Sequence, residues 1–366
     1  MTQPAVFLEV CREYDVKKLG RIFSDGLAFL GVELPRQSKV LVKPNVLSAC
    51  RPDQHITTHP VVVEAVVELL VDGGNEVVVA DSSCLPGRTA KALEKTGLAE
   101  IGQRFGKVKV MPLEEATARP YADGGNKYLK VVHLSGMLDE VECIVNVPKL
   151  KSHTLVRFTG AVKNFLGCVP GGGKQQAHIL APTGKMFSQL LVDLYGFIKP
   201  KIRLNVMDGV VGLDGFGPGP TGRINPAGFV GLSADAVALD MACCDVMRAD
   251  PMSVWTNRFA VECGLGVHGF TPNQRLDPVR FKLPRSFPVP ACLARPVSRI
   301  QQRRPVVDSS KCRKCGICAE VCPAKCIAMD EYPRWDYSKC IYCYCCHECC
   351  PHAAINLKRS LSLIRS

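Results

Sequence analysis

The sequence predicts an α/β fold, with a mostly parallel sheet and helices on both faces, followed by a small α+β domain at the C-terminus. Two observations predict it. Short apolar runs alternate with helical patterns over about the first 290 residues, and eleven of the 20 cysteines lie between positions 312 and 350. The chain has 366 residues, of which 47% are hydrophobic, so it is long enough for two or three domains with a sizeable core.

Composition and charge restrict the function classes. No stretch of about 18 uncharged apolar residues occurs, so we expect no membrane span. The first residues, MTQPAVFLEVCREYDV, lack a basic segment followed by an apolar one, so we expect no secretory signal and a cytoplasmic location, where thiols stay reduced. The formal charge of +12 is spread out, without basic runs interleaved with aromatic residues, so no nucleic-acid partner is predicted.

The elements of the first domain are predicted in chain order from apolar patterns. Apolar, β-branched runs predict strands at 5–10, 39–45, 75–83, 141–150 and 201–210. Helical spacing predicts helices at 59–74, which ends at glycines, and at 233–248. A further helix over 155–166 would place Thr159 and Lys163 on one face. Strands and helices at this spacing predict a mostly parallel, buried sheet.

Charged and amide side chains stand at the ends of four predicted strands. They are Lys43 and Asn45, then Asp81, then Lys149, Lys151 and His153, and finally Asp208. Ligands of open α/β sheets bind outside the carboxyl ends of the strands, so the four ends together predict one crevice. Taken singly, each of these residues is better explained as a capping or turn residue.

Residues 148–167, PKLKSHTLVRFTGAVKNFLG, are the richest in candidate binding groups. Six polar side chains fall within sixteen residues: Lys149, Lys151, His153, Arg157, Lys163 and Asn164. Such a cluster suits an anionic ligand, either a phosphate or a carboxylate. The alternative is a basic helix that faces solvent, and His153 alone would be a structural residue.

Two glycine-rich segments, 168–185 and 212–222, predict loops over this site. The first, CVPGGGKQQAHILAPTGK, would be a mobile lid or a phosphate-binding loop, although it does not match the GxxxxGK[ST] pattern of nucleotide-binding loops. Ordinary turn-rich connections explain both segments equally well.

The cysteine-rich C-terminus is an internal repeat. Residues 308–329 align with 336–357 at an offset of 28 without gaps, and each half contains the pattern C-x2-C-x2-C-x3-C-P. The cysteines of the pattern are Cys312, Cys315, Cys318 and Cys322, then Cys340, Cys343, Cys346 and Cys350. Two residues between cysteines let a tight loop wrap an iron–sulfur cubane. A zinc knuckle is the alternative for one copy, but two copies in register, each with a proline after the last cysteine, argue against zinc.

This repeat resembles the bacterial dicluster ferredoxin over about residues 305–358. The resemblance implies two [4Fe-4S] clusters, because the fourth cysteine of each half ligates the cluster of the other half in that family. The implied ligand sets are Cys312, Cys315 and Cys318 with Cys350, and Cys340, Cys343 and Cys346 with Cys322. An arginine-rich segment, 291–304, would link the domain 305–358 to the first domain, 1–290. A docking surface for an acidic partner is the alternative role of that segment.

Three more cysteines lie in the repeat without being part of the pattern. Cys326, Cys345 and Cys349 align with apolar residues of the other half, so we expect them to pack in the interior. The alternative is that Cys345 or Cys349 replaces one of the ligands, and such crowding would also allow cluster conversion after oxidation.

The first domain resembles the domain-of-unknown-function family 362 over about residues 38–250. The segments that carry the resemblance are VLVKPN, the HP at 59–60, VADSS, NVPKLKSHTLVRFTGAVKNFLG, MDGVVGLDGFGPGP and SADAVALD. The family's motif positions map onto Lys43, Asn45, Asp81, Lys149, Lys151, His153, Lys163, Asn164, Asp208 and Asp240. The resemblance implies iron–sulfur binding and electron transfer, with a C-terminal dicluster module in many members, but it implies no particular substrate.

Three functions fit these features. The first is a ferredoxin-linked oxidoreductase that receives electrons from a redox partner protein and reduces an anionic small molecule in the crevice. Its predicted catalytic residues are Lys163, His153, Asp81 and Asp208, and its predicted substrate-binding residues are Lys43, Asn45, Lys149, Lys151 and Asn164. The second function is an electron carrier whose α/β domain only docks redox partners, and the third is a non-redox role in cluster delivery or scaffolding.

The size of the first domain favours the oxidoreductase, because about 290 residues are many for a docking surface alone. No G-x-G-x-x-G pattern follows a predicted strand, which argues against a built-in nicotinamide site. A flavin is compatible with the sequence, although no motif requires one.

Overall fold

In the computed structural model, the described residues are 2–122, 128–284 and 303–359. We call residues 2–284 the body and residues 303–359 the tail. Most of the predicted linker lies outside the described residues, and its last two residues, Arg303 and Arg304, begin the first strand of the tail.

The body contains thirteen described strands and ten described helices. The strands are β1 (Ala5–Val10), β2 (Lys39–Pro44), β3 (Glu76–Asp81), β4 (Val108–Pro112), β5 (Ala118–Ala122), β6 (Val131–Ser135), β7 (Cys143–Val147), β8 (Lys149–His153), β9 (Arg157–Thr159), β10 (Ile202–Gly215), β11 (Gly222–Asn225), β12 (Phe229–Ser233) and β13 (Thr271–Pro272). The helices are α1 (Val16–Leu30), α2 (Pro60–Asp72), α3 (Thr89–Lys95), α4 (Ala99–Arg104), α5 (Met137–Glu140), α6 (Ala161–Asn164), α7 (Gly173–Leu180), α8 (Gly184–Ile198), α9 (Ala236–Val246) and α10 (Trp255–Glu262).

The central sheet of the body has the strand order β13-β1-β12-β10-β7-β2-β3-β4. The half from β10 to β4 is parallel throughout, whereas β12 runs antiparallel to both β10 and β1. Strand β8 continues from β7 and also pairs in parallel with β10. This arrangement confirms the predicted mostly parallel sheet, and it brings the carboxyl ends of β7, β2 and β3 side by side.

Helices cover both faces of the sheet because the central strands are apolar on both sides. Val40 and Val42 of β2 face one core, which also contains buried residues of helices α1 to α4. Leu41, between them, faces the other core, to which α5, α6, α8, α9 and α10 contribute. The alternation follows from the period of two along a strand.

Two predicted elements differ from the structure. The predicted strand 141–150 is interrupted at Pro148, which has no amide hydrogen for the ladder, so β7 and β8 are separate strands. The predicted helix over 155–166 is wrong, because residues Arg157–Thr159 form β9, a hairpin partner of β8, and the α-helix covers only Ala161–Asn164, followed by a 3-10 turn. Thr159 and Lys163 therefore do not share a helical face.

The tail repeats its backbone as well as its sequence. Its elements are β14 (Arg303–Val307), α11 (Ile317–Glu320), β15 (Ile327–Met329), β16 (Pro333–Trp335), α12 (Cys345–Glu348) and β17 (Ile355–Arg359). Strand β14 pairs with β17 and β15 with β16, both antiparallel. Positive φ angles recur at the repeat offset: Lys314 (54°) and Tyr342 (56°), Gly316 (76°) and Tyr344 (66°), Lys325 (49°) and Ala353 (49°). The two cysteine loops therefore follow the same path.

No helix within the described residues is both long enough and apolar enough to cross a membrane.

Candidate active site between the body and the tail

A cavity lies where the tail meets the carboxyl ends of β2 and β3. Its lining residues are Asn45, Val46, Leu47, Asp81, Ser82, Cys84, His153, Lys163, Asn164, Leu166, Gly167, Lys174, Gln175 and His178 from the body, and Val321, Cys345, Glu348 and Cys349 from the tail. Of the predicted catalytic and substrate-binding residues, the structure brings Asn45, Asp81, His153, Lys163 and Asn164 together at this cavity.

Asp81 is held at the floor of the cavity by a buried ion pair. Lys43 Nζ lies 2.7 Å from Asp81 Oδ1, and both side chains are shielded from solvent. The amide of Val46 donates to the other carboxylate oxygen at 2.6 Å. Gly167 lies against the pair, since a Cβ there would meet Asp81 Oδ1 at 1.9 Å. Lys43 therefore neutralises Asp81 and does not itself reach the cavity.

His153 and Glu348 join the body to the tail across the cavity. His153 Nε2 and Glu348 Oε1 lie 3.5 Å apart. The amide of Leu155 donates to His153 Nδ1 at 3.1 Å, so the neutral ring carries its proton on Nε2, toward Glu348. Burial lowers the pKa of His153 well below its usual range and raises the pKa of Glu348 to about 8.

Lys163 projects from α6, whose first turn is fixed by Asp240. The amides of Ala161 and Val162 donate to the two oxygens of that carboxylate at 2.6 Å and 3.1 Å. Gly160 permits this approach, since a Cβ there would meet Asp240 Oδ1 at 2.1 Å. Asp240 is 1% exposed, and burial raises its pKa to about 7. Asp240 is thus a positioning residue for Lys163.

Helix α7 supplies two cavity groups that the sequence analysis did not single out. Lys174 Nζ donates to the carbonyls of Ser82 and Ser83 at 2.7 Å and 3.0 Å, and burial lowers its pKa to about 8. His178, one turn later, stacks on Phe187, and burial lowers its pKa to about 3. The i, i+4 spacing of a lysine and a histidine after three glycines was the available signal.

Lys151 does not line the cavity, but it contacts Asn45, one of two hydrogen-bonded side-chain amides that do. Its Nζ donates to Asn45 Oδ1 at 2.6 Å and to the carbonyl of Ile56 at 2.7 Å. Asn45 Nδ2 in turn donates to Asn164 Oδ1 at 2.9 Å. Burial lowers the pKa of Lys151 to about 7. The network fixes the orientation of the Asn45 and Asn164 side-chain amides.

Lys149 and Asp208 form a separate buried group away from the cavity. Lys149 Nζ lies 2.8 Å from Asp208 Oδ2, and neither side chain is exposed. The hydroxyl of Tyr14 contacts both, at 2.9 Å and 3.2 Å, and the amide of His59 donates to Asp208 at 2.9 Å. The ring of Tyr14 stacks on His59. The structure thus places these two predicted site residues in an internal ion pair that ties β8, β10 and the start of α2 together.

The tail reaches the cavity through α12, which packs on the loop after β10. His347 Nε2 lies 2.9 Å from Thr221 Oγ1 and 3.4 Å from the carbonyl of Phe216. Gly219 allows the close approach, because a Cβ there would meet the carbonyl oxygen of Glu348 at 2.1 Å. Body and tail are therefore in direct contact at the site.

The first predicted ligand set surrounds a cavity of its own. Cys312, Cys315, Cys318 and Cys350 all line one small space in the tail. Burial, together with the other three thiols, raises the pKa of Cys318 to about 11. Four thiols that face one space fit the ligand requirement of an iron–sulfur cubane.

The second predicted set converges in the same way. Burial and the nearby Cys343, Cys322 and Cys340 raise the pKa of Cys346 well above its usual value. Cys326 lies against this set, with its Sγ 3.5 Å from Cys322 Sγ. Among the described residues, no three histidine, cysteine or acidic side chains are close enough to hold a single metal ion.

Comparison with known proteins finds a matching family for the body and another for the tail. The family described as "Domain of unknown function (DUF362)" matches residues 40–245, and the family described as "4Fe-4S binding domain" matches residues 305–328. These matches confirm the two resemblances inferred from the sequence. The chain is also 30% identical to the thylakoid-associated protein sll1697 of Synechocystis sp. over 246 residues, which are 67% of this chain and 74% of that protein.

Proposed function

Because the chain belongs to the DUF362 family and carries a 4Fe-4S binding domain, we propose that it is an iron–sulfur reductase. Two [4Fe-4S] clusters in the tail would deliver electrons to an anionic small molecule held in the interface cavity. A redox partner protein would supply those electrons.

The composition of the cavity wall carries this proposal. Four tail residues line the cavity, and three of them, Cys345, Glu348 and Cys349, belong to one short segment. They alternate in sequence with the proposed ligands Cys343, Cys346 and Cys350. A molecule in the cavity would therefore contact the short segment that carries the proposed iron ligands. An electron would have only a short distance to travel from the cluster to that molecule.

The charge of the cavity favours an anion. Its lining lysines are Lys163 and Lys174, and its lining carboxyl groups are Asp81 and Glu348. Since Lys43 neutralises Asp81, two ammonium groups remain against one carboxyl group. Lys163 has no hydrogen-bond partner among the described residues and is half-buried at the cavity, so its ammonium is available to a ligand carboxylate or phosphate.

The same residues can supply protons to a reduced substrate. Lys163 is a cationic donor, Glu348 is protonated at neutral pH because its pKa is about 8, and the Nε2–H of the neutral His153 can donate a hydrogen bond across the cavity. When bound, a [4Fe-4S] cluster supplies one electron at a time, so proton delivery by fixed side chains would complete each reduction. Lys163 and His153 are accordingly our proposed catalytic residues, with Asn45 and Asn164 as substrate-binding residues.

Two clusters are supported by the repeated backbone of the tail. The family match covers the first half alone, but the second half has the same helix position and the same positive φ angles. Both halves thus offer the same loop to a cubane. The proposed location is the cytoplasm, and the membrane association in the relative's name makes a thylakoid surface the alternative.

A ligand-retention experiment tests the proposal. The holoprotein is purified without oxygen and denatured, and the released small molecules are identified by mass spectrometry. We expect an anionic molecule in the wild type that is lost in Lys163→Ala, with iron and sulfide unchanged. Lys185→Ala, which alters an exposed lysine at the start of α8, is the matched control and should retain the molecule.

Turnover of that molecule with a low-potential donor then separates a reductase from an electron carrier. Loss of turnover in Lys163→Ala and His153→Ala, with electron exchange to an artificial mediator preserved, supports the reductase. Equal electron-transfer activity of wild type and both variants in every assay would overturn it and favour the carrier.

A further inference from the structure

Two cysteines outside both predicted ligand sets meet across the interface. Cys84 Sγ and Cys349 Sγ lie 2.7 Å apart, and both residues line the cavity. Cys84 belongs to the loop after β3 in the body, whereas Cys349 caps α12 in the tail. The contact therefore joins residues 265 positions apart in the chain.

Both thiols are held in place by the backbone. The amide of Cys84 donates to the carbonyl of Leu47 at 2.9 Å, and Gln175 Nε2 donates to the carbonyl of Cys84 at 3.4 Å. The amide of Cys349 donates to the carbonyl of Cys345 at 3.0 Å. The two sulfur atoms are thus presented to each other by two ordered segments.

The third thiol of the cavity has a different neighbour. Cys345 lies two residues from Cys343, one of the proposed iron ligands, and both are buried in the apolar cluster of the tail. Cys84 interacts with Cys349 instead, and neither Cys84 nor Cys349 belongs to a proposed ligand set. Cys84 and Cys349 are therefore the cavity pair whose sulfur atoms remain available for covalent chemistry.

We propose that Cys84 and Cys349 are a thiol–disulfide exchange pair whose substrate is a low-molecular-weight disulfide of the glutathione type. Cys84 attacks one sulfur of that disulfide, which forms a mixed disulfide on Cys84 and releases one thiol. Cys349 then attacks Cys84 Sγ, which forms the Cys84–Cys349 disulfide and releases the second thiol. Two cysteine thiols are oxidised, one external disulfide is reduced, and the two protons leave with the two released thiols.

Exposure determines the order of the two steps. Cys84 is half-buried, whereas Cys349 is 4% exposed behind it. An external disulfide meets the more accessible thiol first, and the buried thiol resolves the adduct. The resulting bond would connect the body wall of the cavity to the tail wall.

This exchange goes beyond the proposed reductase, because it needs no electrons from the clusters. The test reads the state of the thiols and not turnover. A failure of the thiol exchange would not change the ligand-retention result. Likewise, a failure of ligand retention would not change the thiol-exchange result.

The test treats anaerobic holoprotein with oxidised glutathione, so that the iron ligands stay protected. The reaction is quenched with acid, the free thiols are alkylated, and the chain is analysed by intact mass and peptide mapping. We expect the wild type to lose two alkylatable thiols, to carry no glutathione and to yield a peptide linked between Cys84 and Cys349. Reduced glutathione in excess should restore both thiols.

Three variants distinguish the two roles. Cys349→Ser should retain one glutathione on Cys84, and Cys84→Ser should show neither adduct nor link. Cys345→Ser is the matched control and should behave as the wild type, with iron measured in every sample. An unchanged thiol count in wild-type holoprotein, or the same adduct level in Cys84→Ser as in Cys349→Ser, would overturn the proposal. Cys84 lies in the body far from the ligand sequence, so its variant decides the question even if Cys349→Ser loses iron.

Discussion

Cys345 and Cys346 are neighbours in the chain but have different surroundings. Cys345 lines the interface cavity together with Lys163. Cys346, one residue later, is surrounded by other thiols of its proposed ligand set. Because α12 is a single helical turn, consecutive residues point to different sides. Cys345 therefore faces the cavity, whereas Cys346 faces the proposed cluster.

Substitution of these two cysteines should therefore have different effects on iron. We expect Cys345→Ala to keep both clusters, at roughly 1 kcal/mol of lost packing. Cys346→Ala should lose or convert one cluster because it removes a proposed ligand. Iron and sulfide analysis with electron paramagnetic resonance of the reduced protein measures both outcomes. Iron loss in Cys345→Ala, with full iron in Cys346→Ala, would reverse our ligand assignment.

Asp240 gives a second residue-scale prediction, on the pH dependence of stability. Burial raises its pKa from 3.8 to about 7, so between these values the folded state holds a proton that the unfolded state has lost. Stability is therefore highest below the unfolded pKa and falls as pH rises toward 7. The asparagine of Asp240→Asn cannot titrate. The free energy of unfolding of this variant should therefore increase by about 3 kcal/mol relative to that of the wild type between pH 5 and pH 7.5.

Thermal unfolding of both proteins at the two pH values measures this difference, in which the contributions of other groups cancel. A difference that stays constant with pH would show that the carboxyl group of Asp240 is ionised throughout.

At the scale of elements, α12 and the loop after β10 determine how the tail sits on the body. The loop continues from Ile202–Gly215, and its Gly219 touches the backbone of Glu348. His347 adds side-chain contacts to the same loop. A backbone contact of this kind leaves no room for a side chain, so a single methyl group is enough to disturb it.

Gly219→Ala should accordingly loosen the tail without removing its iron ligands. We expect faster hydrogen exchange of residues 345–359 in the variant, with unchanged iron content. Gly172→Ala is the matched control, because a Cβ at that position meets no atom within 4 Å and its φ is negative. Equal hydrogen-exchange rates in Gly219→Ala and wild type would mean that the loop moves to accommodate the methyl group. The contact would then not determine the position of α12.

The elements also show which parts of the fold the sequence could predict. Strands β2 and β3 were predictable because they are apolar runs that end in charged residues, and a buried parallel strand has that pattern. Helix α7 was not predicted, because the three preceding glycines and its polar residues have the composition of a loop. Strand β9 was mistaken for part of a helix because its three residues are stable only as the hairpin partner of β8.

The site residues also separate into those that the sequence could predict and those that depend on tertiary packing. Asp81, His153 and Lys163 were predicted together from strand ends and one polar segment. Lys149 and Asp208 stood at equivalent strand ends, yet tertiary packing turns them toward each other and away from the cavity. Glu348 and Cys349 could not be assigned to the site from sequence, because their role depends on the docking of the tail on the body.

At the scale of the whole molecule, the tail is packed on the body through contacts on both sides of the cavity. Arg88 of the body pairs with Glu320 of the tail at 2.6 Å, and Leu85 lies within the tail's apolar cluster. The His347 contacts lie on the α12 side. The cavity thus exists only when both parts are folded and in contact.

Metal content is the prediction that concerns the molecule as a whole. We expect about eight iron and eight sulfide per chain after anaerobic purification, because the two loops have the same backbone and the same four-cysteine pattern. Elemental analysis together with protein quantification measures the ratio. Four iron per fully reconstituted chain, or stoichiometric zinc, would rule out two cubanes.

The position of α12 between iron ligands and cavity has a consequence for how this protein matures. The helix is one turn long, contains Cys346 and is flanked by Cys343 and Cys350, so its fold depends on what those thiols bind. A newly synthesised chain that has not received iron and sulfide would therefore lack one wall of its cavity. Cofactor insertion would be the last step that completes the site, and the cell's supply of iron would determine how many copies become competent.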